Sequence, residues 1–197
     1  RAWEDAGLHA EALAWRVLPL SNDPANEVRE AMKASGCGMV LARRDPAEPW
    51  RQALVERLEG CVTALMGTHP AARRLLVAVD LSETTPLLLR TEMHNRHGSV
   101  AHDVRFVHVR EHGGPDHPVR MWKEMLDVAG YDEDTPLDFL DAPQGVAAAL
   151  LAEARADGRG QIVMGRRGLG GVARWLLGSV SSQVLAGLAD ESLSVVG

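Results

Sequence analysis

The sequence is poor in cysteine, and it has neither a long hydrophobic run nor a run of basic residues. Its only cysteines, Cys37 and Cys61, have neither the spacing of a zinc ribbon nor the density of a secreted disulfide scaffold, so we expect both to be small buried residues. No stretch approaches the roughly 18 apolar residues of a membrane span, and no signal sequence opens the chain. We therefore expect a cytoplasmic protein without membrane insertion.

The charges also narrow the class of partner. The net charge is −6 and the charged residues are mixed in sign, without a Lys or Arg cluster that could follow a phosphate backbone. Nucleic acid is therefore not an expected partner. With 197 residues, of which 46% are hydrophobic, the chain can bury the core of one or two domains.

Short apolar runs alternate with helical patterns from residue 75 onward. Runs typical of buried strands occur at 75–79, 104–109, 137–140, 162–164 and 193–196. Helical spacing or helix signals fall between them, at 84–97, 118–129, 146–156 and 180–188. This alternation predicts an α/β fold, with an open parallel five-stranded sheet and helices on both faces.

The first 70 residues resemble the second half of the same unit. A helix opens at Asp23-Pro24 and ends at Gly36, and residues 39–44 align with 162–167 at an offset of 123 positions. Residues 65–67 align with 195–197 at an offset of 130. We therefore predict a partial, degenerate unit at 1–70 before a complete unit at 71–197. Since half a sheet leaves an edge unpaired, we also expect about 50 or more residues before Arg1 in the natural protein.

A glycine-rich segment follows the fourth strand. It reads Gly165-Arg166-Arg167-Gly168, then nine residues, then Gly178-Ser179. Phosphates need backbone N–H groups at close range, and glycines at a strand end and a helix start supply them. We expect Ser179 to cap the last helix, with the N–H groups of Val180 and Ser181 at the positive end of its dipole. This predicts a phosphate-binding site at the carboxyl ends of the strands.

Asp80 ends the first strand, beside the expected phosphate site. It could accept a hydrogen bond from a ribose hydroxyl or hold Mg²⁺ between the phosphates. The alternative is an ordinary turn residue that caps the next helix.

The spacing Gly-x-x-Gly, nine residues, Gly-Ser resembles the signature of the ATP-binding branch of the universal stress protein family. Residues 75–83 resemble that family's opening strand and turn, and 162–165 resemble its fourth strand. The resemblance covers residues 72 to 197 and implies a flavodoxin-like sheet that binds ATP with Mg²⁺, the adenine lying against the backbone of Val109. The candidate binding residues are Asp80, Val109, Met164, Gly165, Arg167, Gly168, Gly178, Ser179, Val180 and Ser181.

The same resemblance implies an ATP-binding regulatory protein of the stress response, with an unidentified protein partner. Its last strands would pair, either in a homodimer or as a pseudo-dimer within the chain. Nothing near the loop combines a nucleophile, a base and an orienting group, so we expect at most slow ATP hydrolysis, or autophosphorylation at Ser179 or Ser181.

Two other functions remain open. The first is an interaction module that keeps the fold and binds no nucleotide. The second is an adenylyl-transfer enzyme, which is disfavoured because the glycine-rich loop follows the fourth strand rather than the first.

The partial unit departs from the loop pattern. In the alignment, Ala42 and Asp45 stand in place of Gly165 and Gly168, and Pro46 follows. A carboxylate repels phosphate and proline removes an N–H donor, so we predict one nucleotide site per chain. Arg43 and Arg44 stand opposite Arg166 and Arg167, which argues against a role in phosphate binding alone.

Six of the eight histidines fall between His94 and His117, which raises the hypothesis of a metal site. His94 and His97 have helical spacing, and His108 and His112 flank a strand end. No cysteine or carboxylate completes a tight ligand set, so the pattern disfavours a structural metal.

Overall fold

A computed structural model gives the architecture and describes residues 22–45, 47–69, 74–97, 103–110, 117–166 and 177–197. Within these ranges the helices are α1 (Pro24–Ser35), α2 (Trp50–Arg57), α3 (Thr85–His97), α4 (Pro118–Ala129), α5 (Val146–Ala156) and α6 (Ser179–Gly187). The strands are β1 (Met39–Arg43), β2 (Val62–Met66), β3 (Arg74–Ala78), β4 (Asp103–Arg110), β5 (Asp138–Asp141), β6 (Gln161–Gly165) and β7 (Ser192–Val196). No described helix is long and apolar enough to cross a membrane.

All seven strands form one sheet, in the order β1-β2-β7-β6-β3-β4-β5. Every neighbouring pair is parallel except β2 and β7, which are antiparallel. The predicted α/β fold is therefore confirmed, and the five strands predicted from residue 75 onward are those from β3 to β7. The boundary predicted between residues 70 and 71 lies outside the described residues.

The point where the strand order reverses places the candidate site. From β3 the chain proceeds through β4 to β5 on one side, and through β6 to β7 on the other. Open α/β sheets bind ligands in the crevice at the carboxyl ends of the strands beside such a reversal. Ala78 at the end of β3 pairs with Met164 of β6 and with Val107 of β4. The residues that follow these pairs therefore meet at one edge of the sheet.

Helices cover both faces of the C-terminal part of the sheet, as the apolar strands predict. On one face, Leu76, Ile162 and Leu193 belong to a core cluster with residues of α5 and α6. On the other, Val77 and Val163 belong to a cluster with residues of α3 and α4. Full burial of a side chain such as Ile162 stabilises the fold by about 1.5–3 kcal/mol.

Residues 22–69, which we call the N-terminal half, form a smaller core cluster. It combines side chains of α1 and α2 with side chains of β1. The predicted signals of α1 are confirmed, since Asp23 caps the helix through the Asn26 N–H and Gly36 ends it at φ 65°. Cys61 is buried in this cluster, as predicted. Cys37 is exposed, contrary to prediction, because it lies in the turn just after Gly36.

The strand registers of β1 with β2 and of β6 with β7 can be compared directly. In the antiparallel pair of β2 and β7, Ala64 lies opposite Ser194, and these two residues are 130 positions apart in the sequence. The first residue pair between β1 and β2 is Met39 with Val62, and the first pair between β6 and β7 is Gln161 with Ser192. With a spacing of 130 residues between β2 and β7, these pairings give a spacing of 122 residues between β1 and β6, against 123 in the sequence alignment, and Arg43 then corresponds to Gly165.

Candidate functional site

The turn after β3 holds Asp80 through one of its two carboxylate oxygens. Oδ1 accepts hydrogen bonds from the Ser82 N–H at 3.0 Å, the Ser82 hydroxyl at 2.7 Å and the Thr85 hydroxyl at 3.1 Å. These bonds give Asp80 the structural role that was the alternative prediction, since they order the turn into α3. Oδ2 is buried and has no hydrogen-bond partner among the described residues. A buried carboxylate oxygen without a hydrogen-bond partner is energetically costly.

The residue after Asp80 has a strained backbone. Leu81 adopts φ 59°, in the left-handed region that residues other than glycine rarely occupy. Its side chain is 1% exposed and lies in the cluster beneath α3 and α4. This packing holds the turn in place, and strain of this kind is frequent at ligand-binding sites.

The start of α6 supplies N–H groups to the same edge. Gly178 is the N-cap, with φ −61° and ψ 153°, and Ser179 is the first helical residue. The prediction that Ser179 caps the helix is therefore wrong by one position, and the cap has no side chain. The first intrahelical bond runs from the Ser182 N–H to the Gly178 carbonyl at 2.9 Å. The three preceding N–H groups thus lie at the positive end of the helix, an arrangement suited to anions.

Ser181 joins the start of α6 to the end of β6. Its hydroxyl donates to the Gly165 carbonyl at 3.1 Å, and its side chain is buried. Nearby, the Gly178 N–H donates to the Arg166 carbonyl at 3.0 Å. The Ser181 hydroxyl therefore holds the strand end, whereas its backbone N–H remains one of the three at the helix start.

Val109 and Met164 contribute backbone beneath this edge. Val109 pairs with Leu140 of β5, and Met164 pairs with Ala78 and Val195. Both side chains are buried in the core. The registers therefore bring Val109, Met164 and Gly165 to the same end of the sheet as Asp80. Arg167 and Gly168 lie outside the described residues.

Two residues of this edge were not predicted as part of the site. Thr85 anchors Asp80, and the spacing of hydroxyl residues two and five positions after an aspartate could have indicated such a turn. His108 is buried with Nδ1 2.9 Å from the Val79 carbonyl, so it links β3 and β4 just below the edge. Sequence reasoning placed it only in the histidine cluster.

The metal hypothesis gains no support from the described residues, among which no group of three or more side chains could hold a metal ion. His112 and the side chains of His94 and His97 lie outside what the structure describes. The Arg166 guanidinium hydrogen-bonds to backbone carbonyls at the end of α2, which agrees with the expectation that phosphate binding is not its sole role.

Comparison with known proteins supports the fold. A universal stress protein from Archaeoglobus fulgidus DSM 4304 has a TM-score of 0.61 at 19% identity, over 88% of this chain and 65% of that chain. A functionally unknown protein from Pseudomonas aeruginosa PAO1 has a TM-score of 0.62 at 16% identity, over 90% of this chain and 68% of that one. The chain thus spans less than two thirds of the Archaeoglobus protein.

Comparison by sequence matches a smaller part of the chain than comparison by structure. No curated protein sequence matches this chain. Residues 141–188, which run from the end of β5 through α6 and include the glycine-rich segment, match the model of the universal stress protein family. This part of the chain is therefore similar to the universal stress protein family, and the fold resembles that of a solved universal stress protein.

Proposed function

We propose that this chain is a regulatory protein that binds ATP with Mg²⁺ at the carboxyl edge of β3 and β6. The observation that carries the proposal is the pair of features flanking this edge. The buried Asp80 Oδ2 has no partner among the described residues, and the N–H groups of Ser179, Val180 and Ser181 at the start of α6 precede its first intrahelical hydrogen bond. A carboxylate oxygen and helix N–H groups at one edge of the sheet suit a metal-bound polyphosphate.

The parts of the nucleotide map onto these groups. Phosphate oxygens would accept from the N–H groups of Ser179, Val180 and Ser181, and Arg167 and Gly168 would complete the loop. Asp80 Oδ2 would hold Mg²⁺ or accept from a ribose hydroxyl, which would remove the cost of its present burial. The adenine would lie against the backbone of Val109.

A regulatory role fits the site better than fast catalysis. Asp80 Oδ1 and the Ser181 hydroxyl both serve to hold the turn and the strand end, and neither is placed as a general base. Hydrolysis would therefore be slow. Ser179 is exposed at the start of α6, so it is the better candidate for phosphoryl transfer to the protein than the buried Ser181.

We further propose that residues 22–69 belong to a degenerate copy of the unit, which binds no nucleotide. Pro49 is the N-cap of α2, as Gly178 is the N-cap of α6, and Glu48 directly precedes it. Arg51 donates to the Arg43 carbonyl at 3.1 Å, as Ser181 does to Gly165. A carboxylate and a proline remove what a phosphate needs, so we expect one site per chain.

The pairing of β2 with β7 also bears on assembly. Both strands have a neighbour on each side in the sheet, so neither offers a free edge to a second chain. We propose that this contact is a pseudo-dimer within the chain and replaces a homodimer through last strands.

The test is calorimetric titration of Mg·ATP into three forms of the protein: wild type, Gly178→Val and Gly38→Val. The Gly38→Val control adds the same side chain at a glycine where a Cβ meets nothing within 4 Å. We expect one site in the wild type and the control, and no binding by Gly178→Val, because the side chain covers the helix start. Full affinity in Gly178→Val would contradict this site. Two equivalent sites would contradict the degenerate copy, and a wild type that does not bind would favour the interaction module.

A further inference from the structure

Arg166 sits where the sheet, the glycine-rich loop and α6 meet. Its N–H donates to the Val196 carbonyl at 2.8 Å, which keeps it in register with β7. Its carbonyl accepts from the Gly178 N–H at 3.0 Å and lies 3.4 Å from the Ser181 hydroxyl. The residue is 4% exposed. Its backbone therefore fixes where the N-cap of α6 lies relative to the sheet.

The side chain of Arg166 leaves this point and reaches the other half of the chain. It passes over Gly197, where an added Cβ would come within 2.6 Å of the Arg166 Cβ. The guanidinium then donates to the carbonyls of Val55 at 2.7 Å and of Glu56 and Leu58 at the end of α2. Carbonyls at a helix end lack intrahelical donors, and an arginine cation there is favourable in both charge and geometry.

We propose that Arg166 is a positioning residue through which α2 of the N-terminal half sets the geometry of the nucleotide site. The inference rests on the proposed function. One residue holds Gly178 with its backbone and the end of α2 with its side chain, so a shift of α2 moves the N–H groups offered to phosphate. A partner or modification that displaces α2 would thus alter nucleotide affinity without touching the site.

Arg44 provides a matched control. Its N–H donates to the Met66 carbonyl at 2.8 Å, as that of Arg166 does to Val196. Its guanidinium donates to the Ala189 carbonyl, just beyond the end of α6. It therefore joins the two halves in a similar way, but at the opposite end of α6 from Gly178.

The first arm of the test is hydrogen exchange of the full chain without nucleotide, for wild type, Arg166→Met, Arg166→Lys and Arg44→Met. In Arg166→Met we expect the Gly178 and Ser182 amides to exchange roughly tenfold faster or more, as loss of hydrogen bonds made by a charged group implies. The Val79 amide, bonded to Val107 in the sheet, should keep its rate. Arg166→Lys should restore part of the protection, and Arg44→Met should leave Gly178 unchanged.

The second arm is the affinity for Mg·ATP, which should fall roughly tenfold in Arg166→Met and stay within twofold in Arg44→Met. Unchanged exchange at Gly178 in Arg166→Met, or equal acceleration at Val79, overturns the inference. So does unchanged affinity despite faster exchange. A wild type that binds no nucleotide contradicts the proposed function instead, and the exchange arm still decides the positioning role. If Arg166→Met does not fold, Arg166→Lys and Gly197→Ala, which crowds the same side chain, supply both readouts.

Discussion

Replacing Asp80 separates its two roles, because each carboxylate oxygen has a different one. Asp80→Asn keeps an oxygen for the bonds from Ser82 and Thr85, and it removes a buried charge at Oδ2. We expect this variant to be as stable as the wild type, or more stable by up to about 1 kcal/mol. Asp80→Ala loses all three hydrogen bonds, at about 0.5–1.5 kcal/mol each, so we expect a loss of about 2–3 kcal/mol.

Thermal unfolding with and without Mg·ATP measures both effects. At about 2–4 °C per kcal/mol for a chain of this size, Asp80→Ala should unfold at a temperature roughly 4–12 °C lower, and Asp80→Asn at or slightly above the wild-type temperature. Mg·ATP should raise the unfolding temperature of the wild type only. The reasoning is refuted if Asp80→Asn destabilises the protein as much as Asp80→Ala, or if it keeps the full shift with Mg·ATP.

Three other predictions follow from contacts away from the site. Burial alone would raise the pKa of Glu191, but hydrogen bonds from Arg155 and backbone amides outweigh it and lower the pKa below its usual 4.5. Glu191→Gln should therefore cost about 1–2 kcal/mol at pH 7, and its difference from the wild type in urea unfolding should shrink as the pH falls below about 4.5. Gly67→Ala, whose Cβ would lie 2.1 Å from the Asp190 carbonyl oxygen, should lower the urea midpoint by the equivalent of about 2 kcal/mol or more, and an unchanged midpoint would contradict this close approach. A thiol reagent should label only the exposed Cys37 in the native protein and a second thiol after unfolding; simultaneous labelling of both would contradict the assignment.

The fold was predictable wherever periodicity and end signals agreed. The run at 75–79 and the helix from Pro118 to Gly130 were placed to within about a residue, because strands buried on both faces and capped helices leave strong patterns. Helix α2 was not predicted, since its eight residues are short and begin after Pro49 without a capping side chain. Its place is set by packing against β2 and α1, which sequence periodicity does not show.

The site was predictable in location and less so in detail. Gly-x-x-Gly and Gly-Ser mark the strand end and helix start, and the sheet order places both beside Asp80. The N-cap of α6 is Gly178 rather than the predicted Ser179. A helix boundary depends on backbone dihedral angles, and the sequence pattern predicts it only to within a residue or two. The reach of Arg166 to α2 connects residues more than 100 positions apart, so no local pattern could indicate it.

A crystal structure of the wild-type chain grown with ATP and Mg²⁺ tests the central claim most directly. The account predicts density for one nucleotide per chain, with its phosphates against the N–H groups of Ser179 to Ser181 and a metal ion or ribose hydroxyl at Asp80 Oδ2. Nucleotide bound elsewhere on the chain, or an edge between β3 and β6 that stays without ligand at saturating ATP, would contradict it.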